Sequence, residues 1–239
     1  MKLFAIADLH LPGGDDKPMD VFGAHWDHHF ERISEDWRAR VSEEDTVLIA
    51  GDISWAMQLS HAVPDLADIA ALPGRKVLIK GNHDYWWSSI SQVRDAMPAG
   101  MTALQHSAAD IGPAVVCGTR GWVFPTGEEP LEANDEKIFQ RELIRLEIAL
   151  QSAKKLAPEK PLIAMTHYPP LYDQCRDTAF TALMERYGVA WAIYGHLHGL
   201  GIKAGFTGEH NGVRYALTSC DALEFRVKEI PLITASEEA

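Results

Sequence analysis

The sequence predicts an α/β fold in a single domain, residues 1–239. Short apolar runs of strand length alternate with longer amphipathic segments of helical period over most of the chain. Two segments near the end instead alternate apolar and polar residues, as antiparallel strands do. This order indicates either one α/β domain with a mixed sheet or two sheets packed face to face with helices outside. A chain of 239 residues is long enough to bury a sizeable core.

The predicted strands are mostly continuous apolar runs, the pattern of strands that are buried on both faces. These runs lie at residues 2–7, 46–50, 76–80, 102–105, 114–117, 161–166 and 190–194. Residues 213–218 and 224–230 have the alternating pattern and are predicted to be antiparallel strands.

The predicted helices have apolar residues spaced three and four apart. They lie at residues 26–41, 64–72, 88–97, 135–157 and 179–187. We expect Pro64 in the first turn of its helix, where a missing N–H costs little, and Asn134 or Asp135 as the cap of the longest helix. Residues 11–20 and 118–134 are rich in Gly, Pro and acidic residues and are predicted loops, and 232–239 a disordered tail.

The composition indicates which classes of partner and which cellular compartment to expect. A formal net charge of −12 argues against a protein that coats nucleic acid. Three scattered cysteines without a CxxC spacing are typical of a reducing compartment. The N-terminal apolar run is shorter than the roughly 7–15 residues of a signal peptide, and no stretch approaches the roughly 20 residues that span a bilayer. We therefore expect a cytoplasmic protein with neither a membrane nor a nucleic-acid partner.

Five short polar motifs each follow one of the apolar runs. In order they are Asp8-Leu9-His10, Gly51-Asp52, Gly81-Asn82-His83-Asp84, Thr166-His167 and Gly195-His196-Leu197-His198. In open α/β sheets ligands bind at the carboxyl ends of strands, so these side chains are predicted to meet at one rim. The set offers oxygen and imidazole ligands without cysteine, which favours a hard to borderline divalent metal.

Each motif alone has an ordinary explanation as a polar turn. The pair Asp8 and His10 can equally reach one metal from the same side of a strand end, and a carboxylate at Asp52 can bridge two metals. His83 can act as acid or base, with Asp84 holding its imidazole in one tautomer. Five such coincidences in consistent order favour a metal site over five unrelated turns.

Together the motifs resemble the signature of the calcineurin-like metallophosphoesterases: D-x-H, G-D, G-N-H-D/E, H and G-H-x-H, all present without substitution from Asp8 to His198. The resemblance implies a four-layer α/β/β/α sandwich of two mixed β-sheets flanked by helices. It implies two divalent metal ions, drawn from Mn²⁺, Fe²⁺/Fe³⁺, Zn²⁺, Co²⁺ and Ni²⁺. One ion would be held by Asp8, His10, Asp52 and His198, and the other by Asp52, Asn82, His167 and His196.

The resemblance also implies a reaction. A hydroxide bridging the two ions would attack phosphorus, and His83, oriented by Asp84, would act as general acid or phosphate contact. Purple acid phosphatases, a branch of the same superfamily, have a Tyr ligand where this chain has Trp55 and a Gly where it has His10. Indole supplies no anionic oxygen, so the chain is more similar to the non-purple branch, which includes predicted bacterial phosphohydrolases.

Loop residues near the motifs are candidate substrate contacts. We predict this role for Arg120, Trp55, Tyr85, Trp86 and Tyr168. The alternative is that the rings wall off the metal site or pack in the core, and that Arg120 is an exposed loop charge. His25, His28 and His29 are interpreted as surface or helix-packing residues.

The predicted function is hydrolysis of a small phosphomonoester or phosphodiester. One alternative is a Ser/Thr-type phosphoprotein phosphatase, since that branch has the same motifs. A nuclease is disfavoured by the net charge and the lack of a basic stripe. An alternative of another class is a non-catalytic metal-binding scaffold. The sequence leaves open the natural substrate, the preference for monoester or diester, the native metals and the oligomeric state.

Overall fold

The computed structural model describes residues 1–14, 19–127 and 129–232, which form two mixed β-sheets with helices. The predicted tail therefore lies outside the described residues from position 233 onward, as do residues 15–18 of the first predicted loop. The α/β class is confirmed. None of the helices in the described ranges is long and apolar enough to cross a membrane.

The first sheet has the strand order β11-β1-β2-β3-β4. Its strands are β1 (Leu3–Ile6), β2 (Thr46–Ile49), β3 (Arg75–Ile79), β4 (Met101–Leu104) and β11 (Lys228–Glu229). Strands β1 to β4 are mutually parallel, and β11 is antiparallel to β1. The carboxyl ends of four strands therefore lie along one edge of this sheet.

The second sheet has the order β5-β6-β7-β8-β10-β9. Its strands are β5 (Ser107–Asp110), β6 (Val115–Thr119), β7 (Leu162–Thr166), β8 (Val189–Tyr194), β9 (Gly208–His210) and β10 (Val213–Leu217). The four central strands are parallel, while β5 and β9 pair antiparallel at the two edges. This sheet also gathers four carboxyl ends along one edge.

Three apolar clusters hold the layers together. The cluster between the sheets includes Leu3, Leu48, Val77, Ile163 and Ile193, all almost fully buried. The helices are α1 (His29–Arg40), α2 (Leu59–Ala70), α3 (Ile90–Ala96), α4 (Ala133–Leu156) and α5 (Ala179–Arg186). Helices α1 to α3 share a second cluster with the first sheet, and α4 and α5 share a third with the second sheet. The order helix, sheet, sheet, helix matches the predicted sandwich.

Several predicted elements are wrong in detail. Pro64 lies inside α2 and not in its first turn, because the helix begins five residues earlier, at Leu59. Helix α4 begins after Glu132 with no side-chain cap from Asn134 or Asp135. Helix α1 begins only at His29, because the preceding residues form two short 3₁₀ turns, Met19–Phe22 and Ala24–Trp26.

The C-terminal strands differ most from their prediction. Strand β10 is parallel to β8 and antiparallel only to β9. The segment 224–230 is mostly a turn, in which Glu224 and Phe225 have positive φ, and only Lys228–Glu229 pairs as a strand. Phe225 and Val227 are buried from this turn. The alternation of apolar residues therefore records burial from an irregular segment.

Candidate metal centre

The five polar motifs all lie at the carboxyl ends of parallel strands. They follow β1, β2, β3, β7 and β8. The rims of the two sheets meet because Ala7, just after β1, donates its N–H to Thr218 O at 2.7 Å, and Cys220 donates to Ala7 O at 3.0 Å. This junction places motifs from both sheets around one site.

Two groups of ligating side chains lie side by side at this rim, each with atoms within 4.8 Å of one another. They consist of Asp8, His10 and His198 in one group and Asp52, His167 and His196 in the other. His198 Nε2 is 3.5 Å from Asp8 Oδ1, and His167 Nε2 is 3.3 Å from Asp52 Oδ2. Asn82 joins the second group, since its Oδ1 lies 2.7 Å from His167 Nε2.

The residues present fit divalent cations. In each group two imidazole nitrogens point at each other: His10 Nε2 and His198 Nε2 are 3.4 Å apart, and His167 Nε2 and His196 Nδ1 are 3.2 Å apart. Asp8 Oδ1 is buried without a hydrogen-bond partner among the described residues. Converging ring nitrogens beside a carboxylate oxygen that lacks a hydrogen bond, with no sulfur among the atoms of the two groups, suit a hard or borderline metal.

The backbone at the site is held in an unusual conformation. Asp8, His10, Asp52 and His196 have φ of 62°, 45°, 51° and 74°, in the left-handed region. This region costs a non-glycine residue on the order of 1–3 kcal/mol and is typical of functional sites. The surrounding strands must therefore hold these four residues in place.

Two motif glycines are required by close approach. A Cβ at Gly81 would lie 2.0 Å from Asp52 Oδ1, and one at Gly195 would lie 2.6 Å from Asp8 Oδ2. Each distance is far inside van der Waals contact, so any side chain would displace the carboxylate. The glycines in these motifs thus make room for the two acidic residues.

The buried charges of the site shift the pKa of each group. Burial opposes the charged form of His167 and His198, but carboxylates outweigh it. Asp52 raises the pKa of His167 to about 9, and Asp221 and Asp8 raise that of His198 to about 10. Burial instead lowers the pKa of His10 and of His196 to about 4. In metal-free protein at neutral pH, one histidine of each group is thus protonated and one is neutral.

Metal-free protein is expected to lose stability as the pH rises above neutrality. His167 and His198 have a pKa above their ordinary 6.5, about 9 and about 10. Their contribution to folding is complete below pH 6.5 and is lost as the pH rises through these values. The melting temperature of chelator-treated protein, measured from pH 7 to 10, should fall, and added Mn²⁺ should reduce the fall. A melting temperature that stays constant from pH 7 to 10 in chelator would contradict the raised pKa of His167 and His198.

Asp221 also lies at the candidate site, although it belongs to none of the five sequence motifs. Its Oδ1 lies 2.9 Å from His198 Nδ1, and its Oδ2 accepts the N–H of Gly199 at 3.1 Å. Its carboxylate therefore fixes the His198 ring with Nε2 toward Asp8. The signal was present, because Asp221 follows β10 at the same rim as the five motifs. His167 is held similarly, with Nδ1 3.0 Å from Ala50 O.

The predicted orientation of His83 by Asp84 is wrong. Asp84 accepts hydrogen bonds from the backbone N–H of Ile53, Ser54 and Gly81 and from the Trp86 indole. Burial and the charge of Asp52 raise its pKa to about 6. Its carboxylate therefore ties the loop after β2 to the loop after β3. His83 Nδ1 is buried without a hydrogen-bond partner in the described ranges.

An aromatic cavity of about 370 Å³ adjoins the first group. It is lined by His10, Met19, Phe22, His25, Trp26, Trp55, His83, His198 and Gly199. Trp55 stacks on His10, with ring centroids 4.8 Å apart and planes at 20°, and lies 4.5 Å from the His83 ring. Trp55 is therefore placed where a substrate can meet it, and His25 reaches the cavity instead of only packing a helix.

The other predicted substrate contacts have different positions. Tyr85 is 55% exposed beside His83, and the Tyr168 ring packs 4.1 Å from that of His196. The prediction that Trp86 contacts substrate is wrong, since it is 1% exposed and bonded to Asp84. Arg120 is half-buried over the Trp122 ring and lines a second cavity.

Comparison with known proteins identifies one family and several solved structures with a similar fold. The family model of the calcineurin-like phosphoesterases matches residues 1–200. The chain is similar to the phosphopantetheinyl hydrolase PptH from Mycobacterium tuberculosis, with 15% identity, coverage of 96% of this chain and 95% of that one, and a TM-score of 0.57. It is also similar to AQ665 from Aquifex aeolicus, a protein of unknown function, with 13% identity, 95% coverage of both chains and a TM-score of 0.52. No curated protein matches it.

Proposed function

The chain belongs to the calcineurin-like phosphoesterase family, whose members are metal-dependent hydrolases, and from this premise we propose that it is a dinuclear phosphohydrolase of small phosphoesters. The main support for this proposal is a pair of adjacent groups of ligating side chains. One group is Asp8, His10 and His198, and the other is Asp52, His167 and His196. Each group offers one carboxylate and two imidazoles, which suits one divalent ion.

The proposed ligand sets are those of the sequence motifs. One ion is assigned to Asp8, His10, Asp52 and His198, and the other to Asp52, Asn82, His167 and His196. Asp52 is assigned to both because its charge acts on His10 of one group and on His167 of the other. Two bound divalent ions supply Lewis-acid stabilisation of phosphoryl oxygens and lower the pKa of water. Their charge also offsets the acidic field of the chain at the site.

His83 is proposed to protonate the leaving oxygen. Its backbone N–H donates to Asp52 Oδ1 at 2.8 Å, which fixes the residue beside the metal groups. Its ring lines the aromatic cavity. Because Nδ1 is buried, we assign Nε2 as the nitrogen that delivers the proton. Trp55 packs against the His83 ring and limits its rotation.

The aromatic cavity is proposed to hold the organic part of the substrate. Its walls are the rings of Trp26, Trp55 and Phe22 with Met19, and the titratable residues among its described lining are histidines. Such a surface favours an apolar or aromatic group over a charged one. One structural neighbour is named a phosphopantetheinyl hydrolase, but at 15% identity the likeness supports the fold alone. We propose a cytoplasmic location on the sparse cysteines, which are free thiols.

The proposal is tested by turnover of chromogenic phosphoesters. Protein reconstituted with Mn²⁺, Fe²⁺, Zn²⁺, Co²⁺ or Ni²⁺ is assayed on an aryl phosphomonoester, its matching diester and a phosphoserine peptide. Hydrolysis of a small ester supports the proposal, and the ratio of the first two rates assigns the preference. Selective hydrolysis of the peptide would favour a phosphoprotein phosphatase. No turnover with any metal would leave a metal-binding scaffold.

Replacing Asp221 with asparagine is expected to weaken metal binding about 10–100-fold, the usual cost of removing a group that orients a histidine ligand. The amide keeps the size of the side chain but removes the charge that faces His198 Nδ1. Competition with a calorimetrically calibrated chelator measures the change. Asp110→Asn, in an exposed pair with Lys160, is the matched control. Equal metal affinity of Asp221→Asn and the parent would contradict the orienting role.

A further inference from the structure

A second cavity at the rim concentrates positive charge in an otherwise acidic protein. It measures about 250 Å³ and is lined by Lys80, Trp87, Ser88, Leu104, Gln105, Thr119, Arg120, Arg141, Glu142 and Arg145. Four of these side chains are cationic and one is a carboxylate, whereas the whole chain has a net charge of −12. Such a local reversal of sign needs a physical explanation, because like charges gathered together repel.

Glu142 is the single carboxylate among the described residues of this cavity, and both of its oxygens already accept hydrogen bonds. Glu142 is completely buried on α4. Its Oε1 accepts from Arg145 Nη1 at 2.7 Å, and its Oε2 accepts from Thr119 Oγ1 at 2.6 Å. Glu142 therefore neutralises Arg145 and forms a fixed wall. Its charge also acts on Arg120, and that of Asp84 acts on Lys80, but at a longer range than an ion pair.

The other three cations, Lys80, Arg120 and Arg141, form no ion pair with a carboxylate in the described parts of the chain. Lys80 donates to the carbonyl oxygen of Trp87 at 2.7 Å. Arg120 lies 4.4 Å over the Trp122 ring, and neither Arg120 nor Arg141 forms an ion pair with a described acidic residue. Lys80 and Arg120 are half-buried, so water screens their repulsion less than at an open surface. An anion placed among them would relieve this repulsion.

The cavity adjoins the metal centre on the side away from the aromatic cavity. Lys80 directly precedes the Gly81-Asn82 motif, and the carbonyl oxygen of Arg120 accepts the N–H of His167 at 2.9 Å and of Tyr168 at 3.0 Å. Among the described residues, none lines both cavities. A molecule with its phosphoester at the metal centre can therefore extend a different group into each.

We propose that Lys80, Arg120 and Arg141 form a site for a second phosphate-type anion beside the metal centre. Guanidinium groups bind phosphate through paired N–H donors, and Lys binds it as a point charge. A volume of about 250 Å³ is several times the roughly 30 Å³ share of one water, so the cavity has room for a phosphate group. The inference rests on the proposed function in one respect: the anion is a second phosphate of the substrate.

The experiment compares α,ω-alkanediol monophosphates with the matching bisphosphates over a series of spacer lengths, with rates corrected for two equivalent esters. At the best spacer, we expect kcat/KM of the parent to be about tenfold higher for the bisphosphate, the size of one charge-assisted contact. Arg141→Gln is expected to lower that ratio toward one. Arg38→Gln, which removes the same charge from an exposed position of α1, should keep both rates and their ratio.

Inorganic sulfate distinguishes between two occupants of the site, a second phosphate of the substrate and a free anion. If free anion is the true occupant, sulfate will change monophosphate turnover of the parent in an Arg141-dependent way, and the bisphosphate will have no advantage. If the ratio of kcat/KM for bisphosphate to that for monophosphate and the response to sulfate are both the same in the parent and in Arg141→Gln, the proposed anion site is refuted. If no monophosphate is turned over at all, the proposed function fails. Calorimetric binding of sulfate, weaker in Arg141→Gln than in Arg38→Gln, would still support the anion site, and equal binding would overturn it.

Discussion

Replacing Asp52 with asparagine is expected to remove both metal ions together and to lower kcat/KM by at least about 10³-fold. Lewis-acid stabilisation is worth several kcal/mol, and each 1.36 kcal/mol is tenfold in rate. Asp52 is buried, lies 3.3 Å from His167 Nε2 and also acts on His10. The amide keeps an oxygen for the N–H of His83 but loses the charge that the two ions would share. Elemental analysis and turnover of an aryl phosphoester measure both effects.

Two further variants make the Asp52 result specific. Asp8→Asn is expected to lower the metal content by one ion, because Asp8 belongs to only one group. Asp68→Asn makes the same chemical change at an exposed position of α2 and should keep both ions and full activity. Thermal melting shows whether each variant is folded. Two metals per chain in folded Asp52→Asn would refute the bridging role.

His83→Ala is expected to keep both metals and to lower turnover about 10²–10⁴-fold, the usual contribution of a general acid. The loss should be largest for an alkyl ester, whose leaving oxygen needs a proton, and smallest for a nitrophenyl ester. The reason is geometric: His83 lines the aromatic cavity beside the first metal group but is not a member of either group. Steady-state rates over a series of leaving groups measure the change.

The matched control for His83 is His61→Ala, at an exposed position of α2. It should retain the rates of the parent with every ester and the same metal content. Equal rates of His83→Ala and the parent on an alkyl ester would rule out His83 as the general acid. A loss of metal in His83→Ala would instead indicate that His83 is a metal ligand.

The fold class and the family followed from local patterns. The strands at 46–49 and 162–166 are continuous apolar runs that fill the core on both faces. Strands β5 and β9 were not predicted, because Ser107–Asp110 and Gly208–His210 are partly exposed edge strands without an apolar run. Each is defined by pairing with the strand that follows it, β5 with β6 and β9 with β10 across the turn Asn211-Gly212, and not by an apolar pattern of its own.

The sequence by itself predicted which residues the structure gathers in the candidate metal centre, since ligating side chains placed directly after apolar strands are a local property. Only the tertiary structure decided which groups act on one another. It pairs Asp221 with His198, 23 positions apart, and turns Asp84 toward the backbone of Ile53 instead of His83. It also brings Lys80, just after β3, into one cavity with Arg141 and Arg145 of α4. Such contacts depend on how the sheets and helices pack, and they leave no periodicity or spacing along the chain.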